Sequence, residues 1–403
     1  MTALLKPTMS RVHGLDVARA MAMIGMVIAH YVEQDAASGY GAVVRDFVDG
    51  RAMPLFMVLG GVGISFLVRR STAPDRDLLI RAAILFPMGL LLHELTRNIA
   101  IILQYYALFF VIATALRRLP SRALLWSSVT LIALGSFSRQ VWAPSLNSYG
   151  GWEGLASLLE PGLWWSLVIT GYYPFLPAGA FLTLGMWLGR QNLRSRRVAT
   201  ALAAAGIVLA LLGSWAGAWI GDEVGASGVI VDETGRAMLA NDLVARYAED
   251  EGLTIAEASQ RLATSATASP EALEQRADGI QSSTSGFRWE RMFDTEGHSQ
   301  MPAWVIGSIG TSMLVIGGSL LVSEHLRLRA IAVLGEMALT FYAYQAIAIR
   351  WTPLRSTTTT GEEYLIAIGL TLFFLVFALG WKATAGRGPL EQLLRVGSAP
   401  RRA

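Results

Sequence analysis

Three ionisable residues occur in a segment that is otherwise apolar enough to enter a membrane. The stretch "LDVARAMAMIGMVIAHY", residues 15–31, carries Asp16, Arg19 and His30. Ionisable side chains in hydrocarbon are expensive, and they are usually kept for a function or for a buried partner. At 100° per residue the three side chains share one helix face, with Arg19 and His30 roughly 16 Å apart along the axis. We therefore expect this helix to carry a basic group at one end and a proton-transfer group at the other.

Other polar residues sort toward the same two ends. The end near Arg19 also holds Asp16 and Arg81 together with basic loops, which suits phosphate groups. The end near His30 collects a second set of polar side chains, namely Asp49, Arg51, His93, Glu94, Gln104, Tyr105, Tyr342 and Gln345. This sorting predicts two ends of one pathway, a basic inner mouth and an outer polar chamber that contains histidine.

Each of these features has a simpler structural explanation. Asp16 and Arg19 are three residues apart, so they are placed to neutralise one another. His93 and Glu94 are placed for an interhelical hydrogen bond, and His30 also fits a structural histidine. The glycines of "VLGGVGIS" are explained by close helix packing better than by a nucleotide-binding loop.

Composition identifies the class of protein. Of the 403 residues, 53% are hydrophobic and 16% are charged, and the mean hydropathy is +0.45. A soluble domain is nearer about 25% charged, so we predict an all-α, polytopic integral membrane protein. The chain contains no cysteine, which excludes disulfides, thiolate metal sites and cysteine nucleophiles.

A spanning helix needs about 20 mostly apolar residues, and ten segments meet this requirement. They are residues 14–33, 52–69, 78–97, 98–117, 122–140, 172–190, 198–220, 303–323, 329–351 and 363–383. The stretch "GLWWSLVITGYY" either lies in the interface or completes an eleventh span. Basic loops fall on one side of this arrangement, so the positive-inside rule predicts a plasma-membrane protein with both termini cytoplasmic.

An acidic insert separates the seventh and eighth spans. Residues 222–300 carry a net charge of −9, whereas the transmembrane domain formed by residues 1–221 and 301–403 carries +12. We expect this insert outside the cytoplasm. A capping-box pattern at Thr254 and Glu257 predicts a helix over residues 255–263, and a second short helix is predicted over residues 270–281.

Several blocks of the sequence resemble one family of membrane enzymes. "RVHGLDVARAMAMIGMVIAH" is similar to the first helix of transmembrane acyltransferases related to heparan-α-glucosaminide N-acetyltransferase and to bacterial YeiB-like proteins. "DGRAMPLFMVLGGVGISF" and "IILQYYALFFVIATAL" extend the resemblance, and "LGEMALTFYAYQAI" with "GPLEQLLR" resembles the YeiB-like C-terminal half. The pattern departs from the family where Ala20 follows Arg19 in place of glycine, and the acidic insert has no counterpart. An outer-loop histidine of the animal enzyme also has no counterpart between Tyr31 and Asp49.

The resemblance implies transfer of an acyl group, expected to be acetyl, from cytoplasmic acyl-CoA to a hydroxyl or amine of an envelope glycan or glycolipid. Under that interpretation His30 is the general base, with His93 and Glu94 as reserve candidates, and an acyl-histidine intermediate is the second mechanism. Arg19, Asp16 and Arg81 would bind acyl-CoA. The residues expected to bind the acceptor are Asp49, Arg51, Gln104, Tyr105, Tyr342 and Gln345.

Partners and competing functions follow from the same observations. We expect membrane lipid around the helices, and neither a metal nor a nucleic acid is expected to bind. The sequence is compatible with both a monomer and a homo-oligomer. The competing classes are a small-molecule or lipid transporter without covalent chemistry, and a sensory protein whose insert binds a partner.

Overall fold

The computed structural model describes most of the chain as helix. It describes residues 11–32, 40–96, 99–142, 155, 158–224, 226, 229–231, 237–239, 241–265, 287–322, 326–352 and 360–396. The helices are α1 His13–Tyr31, α2 Tyr40–Val48, α3 Ala52–Arg70, α4 Pro74–Thr96, α5 Leu103–Leu116, α6 Ser121–Phe137, α7 Pro161–Trp165, α8 Phe175–Leu188, α9 Arg196–Ala210, α10 Gly217–Val224, α11 Asn241–Glu251, α12 Ile255–Ser265, α13 Pro302–Val322, α14 Leu326–Glu336, α15 Ala338–Trp351, α16 Thr360–Ala385 and α17 Pro389–Val396.

Short π-helical and 3₁₀ segments extend or precede several helices. They are π-helical at Ser138–Trp142, Ser166–Thr170 and Leu211–Ala216, and 3₁₀ at Glu290–Phe293. The strands β1 Val229–Val231 and β2 Ala237–Leu239 form one antiparallel hairpin, with Ile230 opposite Met238. The predicted helical fold is therefore confirmed, with a small hairpin inside the insert that the sequence did not indicate.

The number of membrane spans remains a prediction. Each of the ten predicted segments overlaps at least one described helix, but only five of the described helices are long and apolar enough to cross a membrane. The count rises to seven if each of two bent pairs is a single span, Pro161–Thr170 with Phe175–Leu188 at 54° and Ala330–Glu336 with Ala338–Trp351 at 81°. "GLWWSLVITGYY" thus belongs to a bent element next to α8.

Helix α1 lies at the centre of the helical body. It packs against α3, α13, α14, α15 and α16, and small or flexible side chains such as Ala18, Ala22 and Met23 are almost fully buried. A helix that is apolar nearly all round belongs in the interior of a bundle. By contrast, α16 exposes an apolar face to the surroundings, formed by Leu365, Ile368, Leu372, Phe373 and Val376, as expected of a helix that contacts lipid.

The glycines of "VLGGVGIS" serve helix packing. A Cβ at Gly61 would overlap the backbone of α8, and a Cβ at Gly185 on α8 would overlap the backbone of α3. Only glycine allows the two helices to approach so closely. The packing explanation is confirmed for Gly61, whereas Gly60 and Gly63 line the first cavity described below.

The C-terminal helix is attached to the bend between α14 and α15. The carboxylate of Glu391 accepts hydrogen bonds from the backbone amides of Leu339 (2.8 Å) and Thr340 (3.1 Å) and from the Thr340 hydroxyl (2.6 Å). A carboxylate at a helix N-terminus satisfies amides that have no partner within the helix. This contact brings α17 beside the first cavity described below.

Within its described residues, the insert contains one helix that was predicted, α12, and one that was not, α11. Thr254 and Glu257 form the predicted capping box, in which the Thr254 amide donates to the Glu257 carboxylate (2.9 Å) and the Glu257 amide donates to the Thr254 hydroxyl (3.2 Å). Helix α12 follows it, and α11 was not predicted. The helix predicted over residues 270–281 lies outside the described residues.

We expect the insert to face the side opposite the basic loops. A single cysteine at Ser265, in a chain that otherwise has none, should react with an impermeant thiol reagent in intact cells. A cysteine at Ser195, in the basic loop before α9, should react only after lysis. Labelling in the reverse order would show that the predicted orientation is wrong.

Candidate functional site

Two cavities lie at opposite ends of α1. The first has a volume of about 640 Å³, and we call it the basic cavity. Its lining includes Arg11, Asp16, Arg19, Arg70, Arg81, Glu336, Arg387 and Glu391. Five arginines against three carboxylates leave an excess of positive charge. The predicted acyl-CoA residues Asp16, Arg19 and Arg81 therefore lie together.

Ion pairs organise the floor of the basic cavity. The Asp16 carboxylate, which is only 2% exposed, contacts the guanidinium groups of Arg11 (2.6 Å) and Arg19 (2.8 Å). The structural pairing of Asp16 with Arg19 is thus real, yet Arg19 still lines the cavity. Arg81 is half-buried, and within the described residues its Nε has no hydrogen-bond partner.

A group of possible metal ligands occurs at the same end. One ligand atom each from His13, Asp16 and Glu336 lies within 4.8 Å of the others. Both carboxylates already contact cations, since Asp16 pairs with two arginines and Glu336 pairs with Lys382 (2.8 Å). The group is therefore explained as part of an ion-pair network.

The second cavity has a volume of about 720 Å³, and we call it the histidine chamber. Its lining includes His30, Arg45, Asp49, His93, Tyr172, Tyr173, His298, Tyr342 and Arg350. Three of the five histidines in the chain therefore border one space. Within the described residues, the Nδ1 atoms of all three are buried without a hydrogen-bond partner.

The chamber is walled by the ends of several helices. His30 comes from the last turn of α1, and His93 comes from the last turn of α4. Arg45 on α2 donates from Nε to the backbone oxygen of Val32 (2.9 Å) and forms an ion pair with Asp49 (3.0 Å). Asp49, predicted to bind an acceptor, therefore has its carboxylate held in place at the chamber wall.

His298 is a chamber residue that the sequence analysis missed. It belongs to the loop of residues 294–301, all of which except Met301 was assigned to the insert, and its backbone has a left-handed φ of 68°. Its ring lies 5.8 Å from that of Tyr173 and 6.0 Å from that of Trp304. A histidine just before a predicted span, in a chain with only five histidines, was the available signal.

The loop of residues 294–301 packs against the chamber through close contacts. A Cβ at Gly50 would lie 2.7 Å from the Cα of Gly297, and Gly50 itself has a left-handed φ of 61°. On the other side, the Gln300 side chain donates to the backbone oxygen of Tyr172 (2.6 Å). The loop is therefore held against both the Asp49–Gly50 turn and the tyrosine pair.

Surrounding charges affect the ionisation of His298. Desolvation lowers the pKa of its imidazole below the ordinary value, nearby Asp49 opposes this shift, and Arg45 acts in the same direction as desolvation. A lowered pKa keeps the imidazole neutral at physiological pH. Neutral His298 can accept a proton on one nitrogen and donate from the other.

Tyr342 is the point at which the two cavities meet. It lines both the basic cavity and the histidine chamber, and its side chain is 2% exposed. Its hydroxyl accepts a hydrogen bond from the backbone amide of Ile102 (3.0 Å) just before α5. Ile102 itself borders the chamber and Leu103 borders the basic cavity, so Tyr342 and this turn form a thin partition.

Five predicted site residues do not line either cavity. Arg51 donates to the Ser214 hydroxyl (3.2 Å), and Glu94 accepts from the Leu155 amide (3.1 Å). Tyr105 accepts from the Tyr172 amide (3.1 Å). Gln104 and Gln345 are almost completely buried between helices. These five side chains therefore do not border the basic cavity or the histidine chamber, and they make their contacts with neighbouring residues.

The Gly50 contact generates a stability prediction. Gly50→Ala should destabilise the fold by about 1–3 kcal/mol, because the new methyl group meets backbone and the residue sits at a left-handed φ. Gly318→Ala on α13 is the control, since a Cβ there meets nothing within 4 Å. Thermal unfolding of the purified proteins measures both changes. Equal melting temperatures for the two variants would contradict the described fit of the loop.

Comparison with known families adds to this geometry. The family model described as heparan-alpha-glucosaminide N-acetyltransferase, catalytic, matches residues 11–218. A second model, DUF418, a protein family of unknown function, matches residues 279–400. A search of characterised proteins returned no match.

The two matches divide the chamber between them. The first includes His30, Asp49 and His93, and the second includes His298, Tyr342 and Arg350. The first match alone covers just over half of the chain. The chain therefore belongs to the family described as heparan-alpha-glucosaminide N-acetyltransferase, catalytic, and is a membrane acetyltransferase-like protein.

Proposed function

We propose that the protein transfers an acyl group, expected to be acetyl, from acyl-CoA in the basic cavity to an acceptor in the histidine chamber. One observation carries this proposal: the arginine-lined and the histidine-lined cavities meet at the single buried side chain of Tyr342. A donor bound on one side could then present its thioester to a nucleophile bound on the other.

The basic cavity has the features that the donor requires. Arginine pairs with phosphate oxygens bidentately, and Arg19, Arg81 and Arg387 border the space. Apolar side chains such as Leu59 and Leu103 line the remainder, which suits a long and narrow arm. The volume also lies within the usual range for small-molecule sites, about 300–1,000 Å³.

His30 is the proposed general base. The acceptor oxygen or nitrogen attacks the thioester carbonyl carbon, and His30 takes the proton that the acceptor loses. The carbon–sulfur bond then breaks, and the CoA sulfur receives that proton, so the imidazole returns to its neutral form. His93 is the reserve base. In the second mechanism the imidazole itself attacks and forms an acyl-histidine.

The proposed acceptor is a hydroxyl or amine of an envelope glycan or glycolipid. Asp49 offers a carboxylate to hydroxyl or amine groups, and the rings of Tyr172 and Tyr173 offer flat apolar surfaces. Such a mixture of aromatic and polar groups is typical of small-molecule sites. The predicted orientation would open this chamber toward the outer side of a bacterial plasma membrane.

A transporter remains the alternative, because two cavities separated by a thin partition also suit alternating access. Incubating membranes with radiolabelled acetyl-CoA separates the two functions. An acyltransferase gives His30-dependent transfer of label to an envelope glycan or lipid. A transporter gives no covalently bound label in wild type or variant.

The donor site can be tested through Arg19. Arg19→Ala should weaken acetyl-CoA binding by about tenfold or more, because a charge-assisted contact to phosphate is lost. Arg197→Ala, on the exposed first turn of α9, is the control and should bind as wild type does. Asp16 retains Arg11 as a partner in the variant, so the fold should survive. Unchanged affinity in folded Arg19→Ala would assign Arg19 a purely structural role.

The base can be identified by comparing two histidines. His30→Ala should lower turnover by about 10²–10⁴, the usual loss for a general base, with acetyl-CoA binding largely intact. His93→Ala is measured beside it, with thermal stability as the folding control. If His30→Ala keeps more than about a tenth of the wild-type rate while His93→Ala is inactive, the base is His93.

A further inference from the structure

The histidine chamber has one imidazole to which the proposed function gives no role. His298 is held in the chamber by the loop of residues 294–301, although the sequence places this loop more than 250 residues after His30. The proposed mechanism uses His30 alone. A structural histidine in this position would be expected to have its polar atoms satisfied, but within the described residues His298 Nδ1 has no partner.

The backbone of this loop is strained at His298. Left-handed φ angles occur at His298 (68°) and Gln300 (61°), and at no other non-glycine residue of the described chain. Such conformations are unfavourable for residues that carry a side chain and persist where the surroundings impose them, often at active sites. Here the left-handed residue is the one whose imidazole lines the chamber, so the contacts of this loop must offset the strain at His298.

Neighbouring groups hold His298 in the chamber that His30 also lines. Asp49 and Arg45 both act electrostatically on His298, and both line the chamber with His30 and His93. A Cβ at Gly297 would lie 2.9 Å from a carboxylate oxygen of Asp49. The residue before His298 therefore touches the side chain that forms the chamber wall next to α3.

We propose that His298 is a second catalytic residue, which works with His30 as one proton-transfer unit for acyl transfer. This inference rests on the proposed function. The acceptor atom bonds to the thioester carbon and releases its proton to the pair of imidazoles. The carbon–sulfur bond breaks, the CoA sulfur takes a proton from the pair, and both imidazoles end neutral. The insert is then part of the catalytic centre.

Kinetics of single and double variants test this role. Asparagine tolerates a left-handed backbone, so His298→Asn should fold while losing the imidazole. With radiolabelled acetyl-CoA and membranes containing the full chain, His298→Asn and His30→Asn should each slow label transfer by about 100-fold or more. The double variant should be no slower than the slower single variant, because residues that act as a unit are not additive.

Two controls distinguish a catalytic role of His298 from a role in positioning the loop of residues 294–301. His298→Asn should bind acetyl-CoA as wild type does and should remove one ionisation from the acid side of the pH–rate profile. Gln300→Asn, which tolerates the left-handed φ of 61° and shortens the side chain that bonds Tyr172, should lower the rate and leave the ionisations of that profile unchanged. His298→Asn activity within about threefold of wild type, or an unchanged pH profile, would overturn the assignment.

The position of the loop can be tested without any activity. In the cysteine-free chain, the pair Asp49→Cys and Gly297→Cys should form a disulfide on mild oxidation, scored by loss of free thiols. Asp49→Cys paired with Ser259→Cys, on the exposed face of α12, should not. If wild type transfers no label, the proposed function is wrong, and the catalytic role of His298 is then wrong as well. Failure of the disulfide alone overturns the inference about His298 and leaves the proposed function standing.

Discussion

The buried carboxylate of Asp16 fixes the helix on which both cavities depend. It is 2% exposed and is neutralised by Arg11 and Arg19, and a buried charge left without any partner typically costs about 3–5 kcal/mol. The need to pair this charge therefore determines where the Arg19 side chain lies, at the wall of the basic cavity. His30 follows eleven residues later on the same helix and reaches the histidine chamber. One rigid element thus sets the separation between the two ends.

Helices alone do not complete the histidine chamber. The Asp49–Gly50 turn and the loop of residues 294–301 meet through two glycines, and the Gln300 side chain ties the same loop to Tyr172. Segments far apart in sequence therefore close the space, and the two family matches fall on different sides of it. The helical body provides one wall of the chamber, and the end of the insert provides another. The acidic insert is accordingly attached to the site through its last residues, immediately before α13.

Sequence reasoning predicted what depends on local pattern. Apolar length and composition predicted the helical membrane fold, and the capping box at Thr254 predicted α12 correctly. The separation of Arg19 from His30 along one face followed from helix geometry.

By contrast, the place of His298 depends on a loop conformation and on glycine contacts across more than 200 residues, which no local pattern encodes. Gln104, Tyr105 and Gln345 were expected to line the chamber because of their positions along their helices, but they do not line it. Position along a helix does not determine which neighbour a side chain faces. The bend between α14 and α15 also escaped prediction, and the residue that caps α15 there, Glu391, comes from α17, about 50 residues further along the chain.

The partition at Tyr342 is compatible with transfer of an acyl group from one side of a membrane to the other. The phosphates of coenzyme A are charged, and moving charge into an apolar interior is costly. Under the proposed function only the neutral acyl group passes Tyr342, so the charged donor stays with the arginines and the acceptor stays with the histidines. A transporter would have to move its whole solute past this side chain, and would need Tyr342 to leave the backbone amide of Ile102 in every cycle. An acyltransferase needs only enough space for a thioester to reach the junction. Because the cost of charge transfer falls on neither substrate, a closed partition with a narrow contact is sufficient for covalent transfer, whereas transport would require the partition to open in every cycle.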